Sequence, residues 1–320
     1  MAPPELLRYD PSLRRALAAF LNDAYADLRA LRPVGIEGPD YPEFTEAGLA
    51  AQEASGALAP EGTFVLVEDG QILAAASSGK PSPEEIAQIG FVATASSHRR
   101  RGHAAALLAQ CEEHARAAGA KALATGPFVD SRYAPACRLF ERCGFHVRAL
   151  DHSNMTMETD IDRWEPREPP LPGGYRLVRF RDGDEQAWCD LKDAVFGGRP
   201  TVDWFRRRFR DRPSFDPDGW FFVEREGRKV GIAGAIVWFE DAAMTRPSGS
   251  LIEWVGVLAE ERGRDLGEAL MTACLNYLKG RAVYPNCLVT QYFREAAMGL
   301  YEKLGYRVVR ECRTYEKALG

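Results

Sequence analysis

The 320-residue sequence has no apolar run near the ~18 residues that a membrane-spanning helix needs. Its first residues, MAPPELLRYD, carry an early acid and lack the apolar stretch of a secretory signal. The seven cysteines are an odd number without close pair spacing, and only five histidines accompany them. These absences argue against a disulfide framework, a membrane partner and a metal site, so we expect reduced thiols in a cytoplasmic protein with no metal.

An excess of basic charge is also missing. Lys and Arg number 41 against 46 Asp and Glu, and the formal net charge is −5. A protein that neutralises many phosphates usually carries a basic surface, so a nucleic-acid partner is not expected. The composition, with 46% hydrophobic and 27% charged residues, is that of a globular protein. The length predicts two domains of roughly 150 residues each.

One segment divides the chain almost in half. Residues 159–174, TDIDRWEPREPPLPGG, contain four prolines and end in Gly-Gly. Because proline fixes φ and removes a backbone donor, this stretch is predicted to be a linker that joins neither core. The predicted domains are therefore residues 1–158 and 175–320.

The two halves share an ordered set of motifs. An apolar strand at 89–94 (IGFVAT) and another at 251–257 (LIEWVGV) each lead into a turn and a long helix. Further on, residues 139–147 (LFERCGFHV) correspond to residues 300–308 (LYEKLGYRV). The sequence therefore predicts one fold that occurs twice, with little identity left between the copies.

Each half predicts the same order of elements. A short strand and an amphipathic helix come first, and a strand pair follows with its turn at Asp69-Gly70 in one half and Glu226-Gly227 in the other. The repeated strand and long helix come next, then a short strand, a short helix and closing strands. This is an α/β (α+β) order, in which helices are supported on a central sheet.

The turn at residues 99–104, Arg-Arg-Arg-Gly-His-Ala, carries chemical information of its own. A helix N-terminus leaves its first N–H groups unpaired and carries partial positive charge. Small residues at Gly102 and Ala104 let a ligand approach the backbone, so such a turn suits a pyrophosphate. The alternative interpretation of the turn alone is a solvated, Arg-rich helix start with a tight-turn glycine.

In its context, the order of strand, R-x-x-G-x-(G/A) turn, long helix, short strand and Φ-Φ-E-x-x-G-Φ motif resembles the GNAT superfamily of N-acetyltransferases. The resemblance covers nearly the whole chain, twice. It implies two tandem GNAT-like domains, each a mixed, mostly antiparallel sheet flanked by helices. It also implies acetyl-CoA as co-substrate, with its pyrophosphate at the turn and its pantetheine between the fourth and fifth strands.

The resemblance assigns acetyl-CoA to one set of residues in each half. These are Thr94, Arg99, Arg100, Arg101, Gly102, His103 and Ala104 in the first half, and Val255, Val257, Arg262, Gly263, Arg264, Asp265, Leu266 and Gly267 in the second. The second half departs from the family pattern at Asp265, which replaces the first key glycine. A carboxylate there is expected to repel the pyrophosphate unless it turns to solvent or caps the helix.

The catalytic groups that the resemblance implies occur in the second half. Tyr301 stands where the family often places a general acid, whereas the first half has Phe140 there. Glu253 lies on the predicted fourth strand, and strict alternation would place it on the same face as Val255 and Val257. The alternative interpretations are that Tyr301 packs under the sheet and that Glu253 is a surface charge.

The chemistry needs a base and an acid. An amine with a pKa of ~10 must lose a proton before it attacks the thioester, which costs roughly 4 kcal/mol at pH 7. A carboxylate such as Glu253 can take that proton, directly or through water, and the Tyr301 hydroxyl can protonate the leaving thiolate. A backbone N–H near Val255 can hold the developing oxyanion. No covalent enzyme intermediate is required.

Three hypotheses follow. In the preferred one the second half acetylates a small amine, and the first half binds acetyl-CoA or acts as a scaffold. In the second, the first half is catalytic because its phosphate turn is closer to the family pattern. In the third, the protein is a CoA-binding interaction module without turnover. Trp204, Phe205 and Phe209 either wall an acceptor pocket or pack on the sheet, and the chain is a monomer or a homodimer.

Overall fold

A computed structural model describes residues 3–31, 43–148, 153–239 and 243–320. These residues form a seven-stranded and an eight-stranded sheet. Nearly all neighbouring strands are antiparallel, and each sheet contains one parallel pair. The predicted fold class, two mixed and mostly antiparallel sheets flanked by helices, is confirmed.

The first half begins as its sequence predicts. The Asp10 side chain accepts a hydrogen bond from the Ser12 N–H at 2.8 Å, and Pro11 opens the first helical turn. The elements are β1 (Glu5–Arg8), α1 (Arg14–Ala24), α2 (Ala26–Arg29), α3 (Glu46–Ser55), β2 (Thr63–Glu68), β3 (Gln71–Ser78), β4 (Ile86–Thr94), α4 (His103–Ala117), β5 (Ala122–Thr125), β6 (Val129–Asp130), α5 (Ala134–Arg142), β7 (His146–Val147) and β8 (Asn154–Thr159).

The second half repeats this order with one irregular helix. Its elements are β9 (Tyr175–Arg179), α6 (Glu185–Phe196), α7 (Val202–Phe205) with a π-helical turn at Arg206–Arg210, β10 (Trp220–Arg225), β11 (Arg228–Phe239), β12 (Pro247–Val257), α8 (Leu266–Leu278), β13 (Asn286–Gln291), α9 (Glu295–Lys303), β14 (Arg307–Arg313) and β15 (Tyr315–Ala318). The hairpin turns lie where expected, and Glu226 and Gly227 both have positive φ.

Alternation along the central strands supplies a core on each face of the first sheet. Ala74 and Ala76 of β3 pack with Leu108 of α4, whereas Ala75 packs with Leu17 of α1. Neighbouring strand residues point to opposite faces, so this short alanine run lets helices approach from both sides. The strand β4 and the turn that joins it to α4 thereby lie at the centre of the first half.

The two sheets exchange their last strands. β8, from the first half, lies between β13 and β14 of the eight-stranded sheet. β15, from the second half, lies between β5 and β7 of the seven-stranded sheet. Each sheet therefore takes strands from both halves, and the division into domains at 1–158 and 175–320 stays a prediction.

The proline-rich segment does not behave as a free linker. Ile161 is fully buried in the core of the second half. The Trp164 indole N–H donates to the side-chain oxygen of Asn276 on α8 at 3.0 Å, and the Asn276 amide donates to the Arg167 carbonyl at 2.7 Å. The expectation that this stretch joins neither core is wrong at Ile161, because this apolar residue, which comes before the prolines, packs in the core of the second half.

Candidate active site

A cavity of about 530 Å³ opens in the second half between β12, β13, α9 and the π-helical turn. Glu253 and Tyr301, the two predicted catalytic residues, both line it. It exists because the parallel pairing of β12 with β13 covers only Ser250 and Leu251. Beyond Leu251 the strands separate, which exposes the edge of β12.

A β-bulge interrupts β12 at the cavity. Trp254 has φ +57°, and the register of β12 on β11 shifts so that two residues, Trp254 and Val255, oppose the single residue Ala233. Such a bulge takes a backbone group out of the ladder and re-aims the neighbouring side chains. It also places Glu253 and Val257 on opposite faces, so the expectation from strict alternation is wrong.

Glu253 is a partly buried carboxylate with few partners. Its side chain is 19% exposed, and one oxygen, Oε1, accepts from Arg208 Nη2 at 3.4 Å. The other oxygen, Oε2, is buried without a hydrogen-bond partner among the described residues, as is the indole nitrogen of Trp254. Burial raises the pKa of Glu253, and the positive charges of Arg208 and Arg212 oppose this shift. A carboxylate in this environment suits the role of a base better than a carboxylate at the protein surface would.

Tyr301 reaches the cavity from α9. The residue is 7% exposed, and burial raises the pKa of its hydroxyl to about 12 while the positive charge of Arg294 lowers it slightly. The hydroxyl therefore keeps its proton throughout the neutral range. The cavity therefore brings together a protonated phenol and a carboxylate, the two kinds of group expected for an acid and a base.

The aromatic walls differ from the prediction. Phe209 lines the cavity, but Phe205 is fully buried in the core and Trp204 stacks on Trp188 with ring centroids 6.2 Å apart. The remaining aromatic walls belong to residues that sequence reasoning did not assign to a site. They are Phe196, Phe215, Trp220 and Trp254. Periodicity gives no signal for them, because they come from separate elements that converge only in the fold.

The turns before α4 and α8 have the same backbone conformation. Arg100 and Gly102 have φ of +62° and +88°, and Gly263 and Asp265, 163 positions later, have φ of +76° and +56°. Asp265 thus adopts the left-handed conformation of the glycine that it replaces. Its side chain is exposed and makes no capping hydrogen bond, and at Gly102 an added Cβ would meet open space.

The first arginine of each turn has a structural role. Arg99 Nε donates to the Thr94 carbonyl at 3.4 Å, and Arg262 Nε donates to the Val257 carbonyl at 3.2 Å. Both contacts attach the turn to the end of the preceding strand. Arg99 is also paired with Asp27 of α2. These arginines therefore hold the turn in shape by contacts with the protein itself.

The remaining predicted residues lie at the same two turns. Arg101 Nη2 donates to the Ser97 carbonyl at 3.3 Å, and Arg264 Nη1 donates to the Glu260 carbonyl at 2.8 Å. The helices α4 and α8 then begin at His103 and Leu266, and a small residue comes directly after each. These small residues are Ala104 and Gly267.

In the equivalent region of the first half, aromatic side chains take different partners. Phe140 stacks on Tyr315 with ring centroids 5.4 Å apart, so no hydroxyl stands at the position of Tyr301. The Tyr25 hydroxyl donates to the carbonyl of Val92 at 3.3 Å. Val92 lies 163 positions before Val255, so this contact uses the stretch of β4 that corresponds to the bulge of β12.

Among residues 3–31, 43–148, 153–239 and 243–320, no group of three or more His, Cys, Asp or Glu side chains could hold a metal ion. In the same ranges no helix is long and apolar enough to cross a membrane.

Comparison with known proteins agrees with the repeat. The sequence model of the acetyltransferase (GNAT) family matches residues 23–145 and again 184–306. The mycothiol acetyltransferase of Thermobispora bispora is 32% identical over 311 residues, which cover 94% of each chain. That of Thermomonospora curvata is 30% identical over 254 residues, covering 76% of this chain and 78% of its own.

Solved structures show the same architecture at lower identity. A tandem GNAT protein from the clavulanic acid biosynthesis pathway superimposes with a TM-score of 0.64 at 17% identity and covers 99% of both chains. A GCN5-related N-acetyltransferase from Sphaerobacter thermophilus gives a TM-score of 0.60 at 20% identity, covering 99% of this chain and 96% of its own. At these identities the likeness establishes the fold alone.

Proposed function

Because the chain belongs to the GNAT family of acetyltransferases, we propose that its second half transfers the acetyl group of acetyl-CoA to an amine, with Glu253 as base and Tyr301 as acid. The observation that carries this proposal is that both residues line one cavity beside the open edge of β12. The first half is then a non-catalytic copy that binds acetyl-CoA or supports the fold.

The residues of the second half fit acetyl-CoA. The turn at Gly263 and Asp265 places two residues with positive φ before α8, the arrangement in which successive N–H groups form an anion-binding concavity. β12 and β13 part after Leu251, which leaves room for an extended chain between them. The bulge at Trp254 and Val255 supplies a backbone donor near the reacting carbonyl.

The chemical roles follow from the protonation states. Glu253 accepts a proton from the acceptor ammonium, directly or through water, and the free amine attacks the carbonyl carbon of the thioester. The N–H of Val255 stabilises the charge that develops on the carbonyl oxygen. Tyr301 donates its proton to the departing sulfur as the carbon–sulfur bond breaks. The nitrogen loses its second proton, which returns through water to the Tyr301 phenolate, so the products are an amide, the free thiol of CoA and one proton held by Glu253.

For the acceptor we propose the free-amine form of mycothiol, since the relatives that align with most of this chain are named mycothiol acetyltransferases. The test incubates the purified full chain with acetyl-CoA and desacetyl-mycothiol. The acetylated product is measured by mass spectrometry, because this acceptor carries a thiol of its own. Turnover of other amines at equal rates would contradict the acceptor assignment, and absence of turnover with any amine would contradict the proposed function.

Asp265 offers a test of which turn holds the donor. Replacing Asp265 by Asn is expected to lower the KM for acetyl-CoA up to about fivefold at low ionic strength, because an exposed carboxylate no longer repels the pyrophosphate. The gain should shrink in high salt, where the Debye length falls to about 3 Å. The measurement is the KM for acetyl-CoA at two salt concentrations.

The Asp265→Gly variant separates charge from backbone conformation. It removes the same carboxylate. It also places glycine, which adopts positive φ readily, at a position where the backbone is left-handed. Equal effects of both variants indicate charge, and an effect of glycine alone indicates conformation. A KM for acetyl-CoA that stays unchanged in both variants would argue against binding of acetyl-CoA at this turn. The variant Gly102→Asp would then test the corresponding turn of the first half.

A further inference from the structure

The π-helical turn at Arg206–Arg210 is anchored on one side and faces the cavity on the other. Phe209 is 3% exposed and lies with its ring centroid 4.8 Å from that of Trp220 and 5.7 Å from that of Trp188. π-helical turns are rare in proteins, and those that occur are often found at functional sites. Here the buried Phe209 fixes the position of its neighbour, Arg208.

Arg208 extends from this anchor to Glu253. Its guanidinium carbon lies 5.4 Å from the centre of the Phe209 ring, and Nη2 lies 3.4 Å from Glu253 Oε1. Among the described residues, Arg208 makes the side-chain hydrogen bond to this carboxylate that meets the distance and angle limits. The second oxygen, Oε2, makes none, although the indole N–H of Trp254 and the charge of Arg212 also favour the ionised form.

We propose that Arg208 is a positioning residue for the acetyl transfer: held by the anchored turn, its guanidinium orients the Glu253 carboxylate and pairs with its negative charge. This inference rests on the proposed function of Glu253. The contact is long and one-sided, so the guanidinium stabilises the negative charge without occupying both oxygens. The carboxylate consequently remains able to accept a proton from the acceptor.

Other charged and titratable groups lie in or beside the same cavity as Arg208 and Glu253. Arg212, Arg294 and Tyr301 line the cavity, and the ammonium of Lys192 on α6 lies 4.7 Å from the centre of the Trp254 ring. Arg294 Nε donates to the Gln291 side chain at 2.9 Å. Burial raises the pKa of Glu253, and Arg208 and Arg212 lower it.

The test compares pH profiles of kcat/KM for the full chain with acetyl-CoA and desacetyl-mycothiol. The base must be ionised, so the rate falls as the pH drops below its pKa. Removing a cation raises that pKa, and Arg208→Gln is therefore expected to move the acidic limb upward by about one pH unit. At pH values on the acidic limb, a shift of this size corresponds to a kcat/KM about tenfold lower than that of the wild type. The titration of the acceptor amine is common to all variants and cancels in the comparison.

Two further variants identify the cause. Arg208→Lys restores the charge and should bring the limb most of the way back. Arg207→Gln removes an equally exposed cation from the same turn, one that lies outside the cavity lining, and should leave the profile unchanged. A profile of Arg208→Gln that coincides with the wild type would overturn the proposal, as would an equal shift in Arg207→Gln.

The Glu253→Gln variant distinguishes failure of this inference from failure of the proposed function. If Glu253→Gln leaves only the rise with pH that the acceptor amine causes, while the acidic limb of Arg208→Gln coincides with that of the wild type, Glu253 is the base and only the role of Arg208 is refuted. If Glu253→Gln retains wild-type activity, the proposed function of Glu253 fails, and the inference about Arg208 fails with it.

Discussion

Replacing Glu253 by Gln is expected to lower kcat/KM about 10³-fold near neutral pH, within the range that a positioned general base contributes. Glutamine keeps the size of the side chain and can still accept from Arg208, but it cannot take a proton. In the proposed mechanism, burial raises the pKa of Glu253 and so makes its carboxylate a stronger base. The measurement is steady-state acetyl transfer across the pH range.

The pH dependence of the variant carries the mechanistic information. Without a base, only the acceptor that is already deprotonated in solution reacts, so the rate of Glu253→Gln should rise with pH until the acceptor amine has titrated. Glu302→Gln, an exposed glutamate on α9, is the matched control and should behave as the wild type. A Glu253→Gln variant whose profile stays parallel to that of the wild type would show that another group accepts the proton.

Replacing Tyr301 by Phe is expected to lower kcat about 10²-fold while the affinity for acetyl-CoA stays unchanged. The phenol donates to a sulfur that acquires charge only as the bond breaks, so its loss affects the transition state more than the bound substrate. The first half already has phenylalanine at this position, at Phe140, which is 5% exposed and well packed. The fold of the variant should therefore be retained.

The loss in Tyr301→Phe should be nearly constant between pH 6 and about pH 10. Burial raises the pKa of this hydroxyl to about 12, so it stays protonated over that whole range. Tyr277→Phe is the control: its hydroxyl donates to Asp216 at 2.7 Å outside the cavity lining, and its loss should cost about 1 kcal/mol of stability with kcat unchanged. If Tyr301→Phe kept full kcat, the tyrosine would be a packing residue only.

Much of the fold could be predicted because its signals are local. The hairpin turns at Asp69-Gly70 and Glu226-Gly227 need residues that tolerate positive φ, and the sequence places them there. The Asp10 cap, the following proline and the apolar stripe of α1 likewise lie within a few residues of one another. The repetition of the whole order then identified two copies of one architecture.

The exchange of β8 and β15 could not be predicted in the same way. Because the two halves are copies, the last strand of each meets equivalent partners in either sheet, and its alternating pattern suits both. β8 places Met155 and Met157, both fully buried, in the eight-stranded sheet, and β15 places Tyr315 in the seven-stranded one. The chain connections and the packing of the complete structure decide between the two arrangements.

The same difference between local signals and long-range packing applies to the candidate site. The residue types at Glu253, Tyr301 and the turn before α8 are properties of short motifs, and their chemistry could be stated from the sequence. The bulge at Trp254 has no such signal, because a tryptophan in a run of apolar residues predicts a regular strand. That bulge decides which side chains of β12 face the cavity.

The amino-acid sequence alone therefore determined the repeated order of elements, the turn before the long helix of each half and the candidate base and acid, since each depends on residues close together in the chain. The tertiary structure decided that Glu253 and Tyr301 share a cavity, that Phe205 packs in the core while Phe209 lines the cavity, and that Arg208 meets Glu253. These outcomes depend on burial and on contacts between distant segments, and both arise only when the chain is packed.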